Sequence, residues 1–200
     1  MLPLHTPVHQ PLPDRAPRRG GPFTRWFGRS LLRLGGWHMR GAFPEVDKMV
    51  IIVAPHSSGW DAIWGLGMKI ALGLDIAFMA KAELFRGPVG WVLRRLGGFP
   101  VNRSSSAGVV EQVAERYRSR ETLWVALAPE GTRRRVEDWR SGFWRIARAA
   151  EVPVLCVYFH YPERVIGIGP LLQMTDSLDA DMARIRDYYR PWMGKNRGTV

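Results

Sequence analysis

The sequence has little cysteine, few acidic residues and no long hydrophobic run. Its single cysteine, Cys156, cannot form an intrachain disulfide, and its apolar neighbours in VPVLCVYF predict a small buried side chain. No stretch reaches the roughly 18 uncharged apolar residues of a spanning helix, because Lys69 and Asp75 interrupt the best candidate, AIWGLGMKIALGLDIAFMA. The Pro-rich N-terminus lacks the apolar core of a signal peptide. These absences predict a cytoplasmic protein that touches a membrane without crossing it.

The scarcity of acidic residues leaves a strongly basic chain. There are 18 Asp and Glu against 29 Lys and Arg, so the formal net charge is +11. This balance indicates an anionic partner, either nucleic acid, an anionic membrane surface or an acidic substrate. Nine tryptophans favour a membrane interface, although aromatic and arginine side chains also suit single-stranded nucleic acid. Because no nucleic-acid module signature is present, we expect an anionic membrane surface as partner and no nucleic acid.

The N-terminal fifth of the chain differs in composition from the rest. Five prolines in residues 1–21 predict a flexible Pro/Arg-rich tail. Residues 22–42 then carry apolar side chains at helical spacing, which indicates an amphipathic helix packed on the core or lying on anionic lipid. Seven arginines and one acid among the first 40 residues favour a membrane-docking helix. The apolar positions are Phe23, Trp26, Phe27, Leu31 and Leu34.

Strand-like and helix-like segments alternate after residue 43. Apolar runs predict strands at 49–54, 76–80, 99–101, 122–128, 152–159 and 164–169. Helical spacing predicts helices at 60–73, 88–97, 106–119 and 142–150, and a last one preceded by the N-cap Ser177. The alternation is typical of an α/β fold. We therefore predict one domain over residues 43–200, with a mostly parallel sheet flanked by helices.

Polar residues follow four of the predicted strands, at the point where each strand ends. Parallel strands release these residues at one edge of the sheet, where open α/β sheets bind their ligands. In chain order the residues are His56, Lys81, Asn102 and Arg103, and then Glu130, Thr132 and Arg133.

His56 and Asp61 stand five residues apart across a Ser-Ser-Gly loop. A histidine is suited to act as a general base near neutral pH, and a carboxylate can orient its ring. The same spacing also fits a polar residue at a strand end followed by a helix acid placed for the dipole. Ser57 and Ser58 are alternative nucleophiles, but neither lies in a G-x-S-x-G elbow.

Two further loops predict an anion site at this edge. In PEGTR, Gly131 allows close approach of the backbone to a ligand, and Arg133 offers a fork for phosphate or carboxylate. Arg103 precedes a helix that begins near Ser106, and a helix N-terminus suits an anion. Each segment also fits an ordinary charged surface loop.

Four blocks in this order carry a family resemblance: HSSGWD, GGFPVNR, PEGTR and VPV. With them the chain resembles the lysophospholipid acyltransferases, and specifically the 1-acylglycerol-3-phosphate acyltransferase family of bacteria and organelles. The resemblance covers about residues 45–170 and implies an α/β domain with an N-terminal membrane-docking element. The chain departs from the family pattern at Pro55, Ala128 and Arg134, where Asn, Phe and Ser are common.

The family's roles carry over to matching positions of this chain. His56 is implied to be the general base, and Asp61 its orienting partner. Substrate-binding roles near the acceptor are implied for Lys81, Arg103, Glu130, Gly131, Thr132 and Arg133. Val152, Pro153 and Val154 are implied to line the acyl-binding side.

The implied reaction moves a fatty acyl group from acyl-CoA or acyl carrier protein to the hydroxyl of a lyso-lipid, such as 1-acylglycerol-3-phosphate. No metal or other cofactor is expected, since the five histidines have no ligand spacing. Two alternatives stay open, namely a non-glycerol acceptor such as a lyso-aminolipid, and a non-catalytic lipid-binding protein at the membrane surface. We expect the protein at the inner face of the cell membrane.

Overall fold

A computed structural model of the chain describes residues 12–101, 106–132, 138–196 and 198. It contains a seven-stranded sheet in the order β1-β7-β6-β2-β5-β3-β4. The strands are β1 (His38–Arg40), β2 (Lys48–Ala54), β3 (Ile76–Lys81), β4 (Gly98–Val101), β5 (Leu123–Leu127), β6 (Val154–His160) and β7 (Val165–Leu172). All neighbouring strands are parallel except β6 and β7, so β1 and β7 run opposite to the other five.

Helices cover both faces of this sheet. They are α1 (Pro22–Gly35), α2 (Trp60–Leu72), α3 (Gly87–Arg95), α4 (Ser106–Arg118), α5 (Gly142–Ala150) and α6 (Leu178–Tyr189), with a short 3₁₀ helix at Ala82–Phe85. The helices α1 and α2 pack on one face, and α4, α5 and α6 on the other. The β3–α3–β4 connection joins two parallel strands, and Lys69 of α2 donates a hydrogen bond to the carbonyl of Leu96, just after α3. Covering both faces buries the apolar strands β2, β5 and β6.

The predicted α/β fold, with a mostly parallel sheet flanked by helices, is confirmed. On α4, Val113 and Tyr117 are buried against the sheet. Ser177 caps α6, since its Oγ accepts the backbone N–H of Ala180. Cys156 is fully buried in β6, as its apolar surroundings predicted. Among the described helices, none combines the length and apolar character needed to cross a membrane.

The predicted helix over 22–42 is too long. The helix α1 ends at Gly35, and Gly36 takes the left-handed conformation with φ 68°, which glycine adopts without a steric penalty. Residues His38–Arg40 instead form β1, an edge strand paired with β7. Trp37, which lies in the chain between α1 and β1, is buried and stacks on Trp64 with ring centroids 5.4 Å apart. Because Trp37 is buried, the chain leaves the helix before it and continues into the sheet as β1.

The predicted flexible tail is also partly wrong. Residues 1–11 lie outside the described part, but the chain from residue 12 packs on the domain. The backbone N–H of Arg15 donates to Glu45 Oε1 at 2.7 Å, and that of Arg19 donates to the Gly73 carbonyl at 2.9 Å. Ala16 between them is buried. Prolines prevented regular structure here, yet they left these long-range hydrogen bonds available.

Candidate active site

His56 and Asp61 lie together at the edge where β2, β3 and β5 end. The loop after β2 carries His56, and α2 begins at Trp60, so Asp61 stands in the first helical turn. The histidine Nδ1 lies 3.3 Å from Asp61 Oδ2. The aspartate is buried, whereas the histidine side chain is 23% exposed and borders a large cavity. The imidazole therefore contacts Asp61 through Nδ1 and also borders the cavity, where a ligand can bind.

Asp61 is held by four donors. Its Oδ2 accepts the backbone N–H groups of Ser57 and Ser58, each at 2.8 Å, and faces His56. Its Oδ1 accepts the hydroxyl of Tyr161 at 2.5 Å. Burial by itself raises the pKa of Asp61, but the hydrogen bonds from His56, Tyr161 and Ser58 outweigh it and hold the pKa below its ordinary value. Asp61 is therefore a carboxylate at neutral pH.

The pair has the chemistry of a general base. When Nδ1–H of His56 donates to Asp61, the neutral ring leaves Nε2 without a proton and able to accept one. The carboxylate fixes this tautomer and stabilises the imidazolium that forms on proton transfer. The hydroxyls of Ser57 and Ser58 instead accept backbone hydrogen bonds that hold the loop in place. Ser57 Oγ accepts the backbone N–H of Asn196, and Ser58 Oγ accepts that of Trp60.

Glu130 connects the PEGTR loop to the histidine loop. Its side chain is buried, and Oε1 accepts the backbone N–H of His56 at 2.7 Å. The neighbouring Gly131 and Thr132 border the cavity, whereas Glu130 does not. The role of Glu130 in holding the acceptor stays a prediction, and the contact seen here is with the backbone of the histidine loop. Gly131 has φ 66°, and the side chain of Arg140 packs over it.

The cavity at this edge has a volume of about 1190 Å³ and an apolar wall. It extends over both faces of the sheet. On the α2 side it is bordered by Ile51, Leu72 and Phe78. On the α4 and α5 side it is bordered by Val110 and Phe143. A volume of this size and lining suits an extended apolar ligand whose reactive end lies beside His56.

Two residues that the sequence reading missed complete the histidine loop. Tyr161 directly follows β6, which is parallel to β2 and ends at the same edge. Its position after a strand was a usable signal. Asn196 lies far from the loop in sequence, yet its Nδ2 donates to the Ser57 carbonyl at 2.8 Å. Nothing in the local pattern around Asn196 indicated this contact.

Comparison with known proteins shows which family this chain belongs to. Residues 38–160 match the family model described as Acyltransferase, which is more than half of the chain. The chain belongs to the acyltransferase family. The matched range contains His56, Asp61 and the PEGTR loop, so the site lies within the part that defines the family.

Three relatives in the acyltransferase family are similar to this chain. The 1-acyl-sn-glycerol-3-phosphate acyltransferase of Streptococcus pneumoniae is 28% identical over 134 residues, 66% of this chain and 49% of the relative. The human 1-acyl-sn-glycerol-3-phosphate acyltransferase beta is 32% identical over 144 residues, 67% of this chain and 50% of the relative. The chain thus spans about half the length of both curated relatives. The crystal structure of the 1-acyl-sn-glycerophosphate acyltransferase from Thermotoga maritima has the same fold, with TM-score 0.61, 18% identity, and coverage of 83% of this chain and 75% of that one.

The side chains of three substrate-binding residues implied by the acyltransferase resemblance lie outside the described part of the structure. Arg103 and Arg133 lie outside the described residues. Lys81 ends β3 at the edge of the candidate site, but its side chain lies outside what the structure describes. Their roles stay predictions. Gly131 and Thr132 border the cavity, and their substrate-binding roles also stay predictions.

The acyl-lining role implied for Val152, Pro153 and Val154 stays a prediction, and the positions of these residues do not support it. Val154 opens β6 and pairs with Val50, near the start of β2. These residues therefore lie at the amino-terminal edge of the sheet, opposite His56, and the cavity wall does not include them. The reason is the strand direction, because β6 runs parallel to β2 and its first residues are far from the active edge.

Tyr161 is a positioning residue that acts on His56 through Asp61. Tyr161→Phe removes one donor from the carboxylate while the ring still packs edge-on against Trp37, with centroids 4.8 Å apart. The Tyr161 hydroxyl is one of the hydrogen bonds that lower the pKa of Asp61, so its loss should raise that pKa. We expect kcat of acyl transfer to fall about tenfold, as for loss of one charge-assisted hydrogen bond. We also expect the acid limb of the pH–rate profile to move to higher pH.

The matched control is Tyr117→Phe. The Tyr117 hydroxyl donates to the Met49 carbonyl at 2.7 Å, a buried hydrogen bond at the opposite end of the sheet. Its loss should lower the melting temperature and leave the pH–rate profile unchanged. A Tyr161→Phe enzyme with lower stability but an unmoved acid limb would show that Tyr161 is only a packing residue.

Proposed function

We propose that this protein transfers a fatty acyl group from an acyl thioester to the hydroxyl of a lyso-lipid, 1-acylglycerol-3-phosphate or a close relative of it. The observation that carries the proposal is the His56–Asp61 pair at the mouth of a large apolar cavity. Both similar relatives are named for acylation of 1-acyl-sn-glycerol-3-phosphate. The intact pair also weighs against a lipid-binding protein without catalysis, which has no need of a buried carboxylate behind a histidine.

The reaction needs one proton transfer and no covalent enzyme intermediate. Nε2 of His56 takes the proton of the acceptor hydroxyl as its oxygen attacks the thioester carbonyl carbon. The tetrahedral intermediate then collapses, the carbon–sulfur bond breaks, and the thiolate leaves with the proton returned by the imidazolium. The acyl chain occupies the apolar cavity, so that its carbonyl lies beside His56. Acyl-CoA and acyl carrier protein present the same thioester and are both proposed as donors.

We propose that the protein works while bound at the inner surface of the cell membrane through α1. The buried residues Gly28 and Leu32 pack this helix on α2. Its other side exposes Phe23, Trp26 and Leu34, the last at 88%. The helix also carries three arginines and no acid. An amphipathic helix of this kind binds anionic lipid interfaces.

The function is tested by incubating the protein with acyl thioesters and a panel of lyso-lipids, followed by mass spectrometry of the lipids. The panel contains 1-acylglycerol-3-phosphate, other lyso-phospholipids and a lyso-aminolipid, each with acyl-CoA and with acyl carrier protein. We expect a new diacyl product from 1-acylglycerol-3-phosphate that is absent with His56→Ala. A product from the lyso-aminolipid alone would replace the acceptor in this proposal. No product from any pair would contradict acyl transfer.

Arg103 and Arg133 are proposed to bind the acceptor phosphate. Arg133 directly follows Thr132, which borders the cavity. A charge-assisted hydrogen bond is worth about 1.5–3 kcal/mol, so Arg103→Ala or Arg133→Ala should raise the acceptor KM by roughly 10- to 100-fold. The acyl-thioester KM should stay unchanged, and Lys should rescue only in part because it lacks the planar fork. Initial rates at varied acceptor concentration measure this.

The control for both arginines is Arg118→Ala at the far end of α4, where Arg118 pairs with Glu111 and Glu115. It should leave the acceptor KM unchanged. If the Arg103 and Arg133 variants both behave like this control with every phosphate-bearing acceptor, the phosphate-site proposal is wrong.

A further inference from the structure

The exposed apolar side chains of this protein are concentrated on one side. Among the described residues, ten of the twelve large hydrophobic side chains with high exposure belong to α1, α2, α3 and the 3₁₀ helix before α3. They are Phe23, Trp26, Phe27, Leu34, Trp60, Ile63, Leu84, Val89, Trp91 and Val92. The described parts of α4, α5 and α6, on the other face of the sheet, contribute none of the twelve. This asymmetry exceeds the scattered exposure that is normal for a soluble surface.

The helix α3 contributes to this surface independently of α1. Gly90 is its buried residue, and a Cβ there would come within 2.2 Å of the Phe85 backbone, so the helix packs closely on the 3₁₀ helix before it at this position. Trp91 is 61% exposed and Val89 60% exposed, and Val92 is exposed beside them. A helix that turns a tryptophan and two valines to solvent has an apolar face that no described residue covers.

The three helices form one layer with α2 in the middle. The helix α1 runs antiparallel to α2, since Gly28 lies against Ala71 and Gly35 against Trp64. On the other side, Lys69 of α2 donates a hydrogen bond to the carbonyl of Leu96, the residue after α3. Their outer surfaces therefore share one side of the molecule.

The charge around this layer is basic. Between residues 22 and 35 there are three arginines and no acid, and between 82 and 97 there are three arginines and one acid, Glu83. The guanidinium of Arg95 lies over the Trp91 ring, 5.4 Å from its centroid. Apolar and aromatic side chains flanked by arginines match the interface of an anionic bilayer, where the rings enter the headgroup boundary and the cations meet lipid phosphates.

We propose that α3, with the 3₁₀ helix before it, is a second membrane anchor, so that the α1–α2–α3 layer lies on anionic lipid as one face. This rests on the proposed docking of α1 and adds an orientation to it. The amino end of α2 and the 3₁₀ helix both lie at the edge that carries His56. Two anchors on either side of α2 hold the whole layer against the lipid, with Leu34 and Trp60 nearest the edge that carries His56. There a lyso-lipid can reach the cavity without entering bulk water.

The test uses single cysteines labelled with an environment-sensitive fluorophore. The native Cys156 is fully buried, and burial raises the pKa of its thiol to about 12, so it stays unlabelled under native conditions. The probes are Val92→Cys on α3 and Leu34→Cys on α1. The matched control is Ala149→Cys, an exposed residue of α5 on the opposite face. Each protein is mixed with vesicles of phosphatidylglycerol or of phosphatidylcholine and exposed to an aqueous quencher.

With phosphatidylglycerol, the labels at 34 and 92 should shift to the blue and become protected from the quencher, and the label at 149 should stay aqueous. Trp91→Ser together with Val92→Ser should weaken vesicle binding about tenfold, as expected for loss of partly buried apolar area. Turnover of a soluble short-chain acceptor should not change.

Each other outcome overturns a different statement. Protection at 34 with an aqueous label at 92 would leave α1 as the anchor and remove α3. Aqueous labels at both positions would contradict the docking of α1 as well, without touching acyl transfer. A label at 92 that responds to acyl carrier protein and not to vesicles would make α3 a protein-binding surface instead of a lipid anchor.

Discussion

Replacing His56 with alanine is expected to lower the rate of acyl transfer by about 10²–10⁴-fold, the usual contribution of a general base. The acceptor hydroxyl then has no group to take its proton, because Nε2 is removed from the cavity mouth. The fold should survive, since the bond to Glu130 is made by the backbone N–H of residue 56 and does not need the ring. Initial rates at saturating substrates measure the loss, and a thermal melt checks the fold.

Serine variants are the matched control for this prediction. Ser57→Ala and Ser58→Ala alter the same loop without touching the imidazole, and both should keep most of the activity. Intact-protein mass spectrometry during turnover should show no acylated enzyme. An acyl adduct on either serine would indicate nucleophilic catalysis instead. A His56→Ala enzyme that retains substantial turnover would contradict the general-base role of His56.

Asp61→Asn is expected to reduce acyl transfer nearly as much, up to about 10⁴-fold by analogy with loss of the orienting carboxylate in serine proteases. The amide cannot stabilise the imidazolium and favours the wrong ring tautomer. This variant differs from His56→Ala in stability. Every group that contacts the buried Asp61 carboxylate donates a hydrogen bond to it. In Asp61→Asn an NH₂ group replaces one acceptor oxygen, so at least one of these donors loses its partner. That costs about 1–3 kcal/mol of the free energy of unfolding.

The acid dependence of stability provides a check on this carboxylate. Its folded pKa lies below the ordinary value of 3.8, so its stabilising contribution is complete above that value and is lost as pH falls through the folded pKa. The stability gap between the wild type and Asp61→Asn should therefore be full at neutral pH and narrow in strong acid. Denaturant melts at several pH values measure it. A gap that does not change with pH would mean that Asp61 is not ionised in the folded protein.

The pattern of the sequence was sufficient for the fold class and for the centre of the site. Apolar runs and helical spacing predicted β2, β3 and β5 and the helices between them, because burial on a sheet or on one helix face imposes a local period. Strand direction then placed His56 and the PEGTR loop at one edge. The pairing of His56 with Asp61 was also accessible, since only a short loop separates them.

Contacts between distant parts of the chain were decided by the tertiary structure alone. The strand β1 forms because it pairs with β7, where His38 lies opposite Val165. Tyr161 and Asn196 reach the histidine loop across long stretches of sequence. A local period cannot report such partners, because they are chosen by packing and not by neighbouring residues.

Side-chain direction was likewise a matter for the fold. Glu130 turns inward to the His56 backbone although its neighbours Gly131 and Thr132 face the cavity. Val154 opens β6 at the edge opposite His56, which the strand direction decides. The amphipathic spacing of α1 was visible in the sequence, but the exposed face of α3 was not. Periodicity shows that a helix has an apolar side, and only the assembled layer shows which side is left without a protein partner.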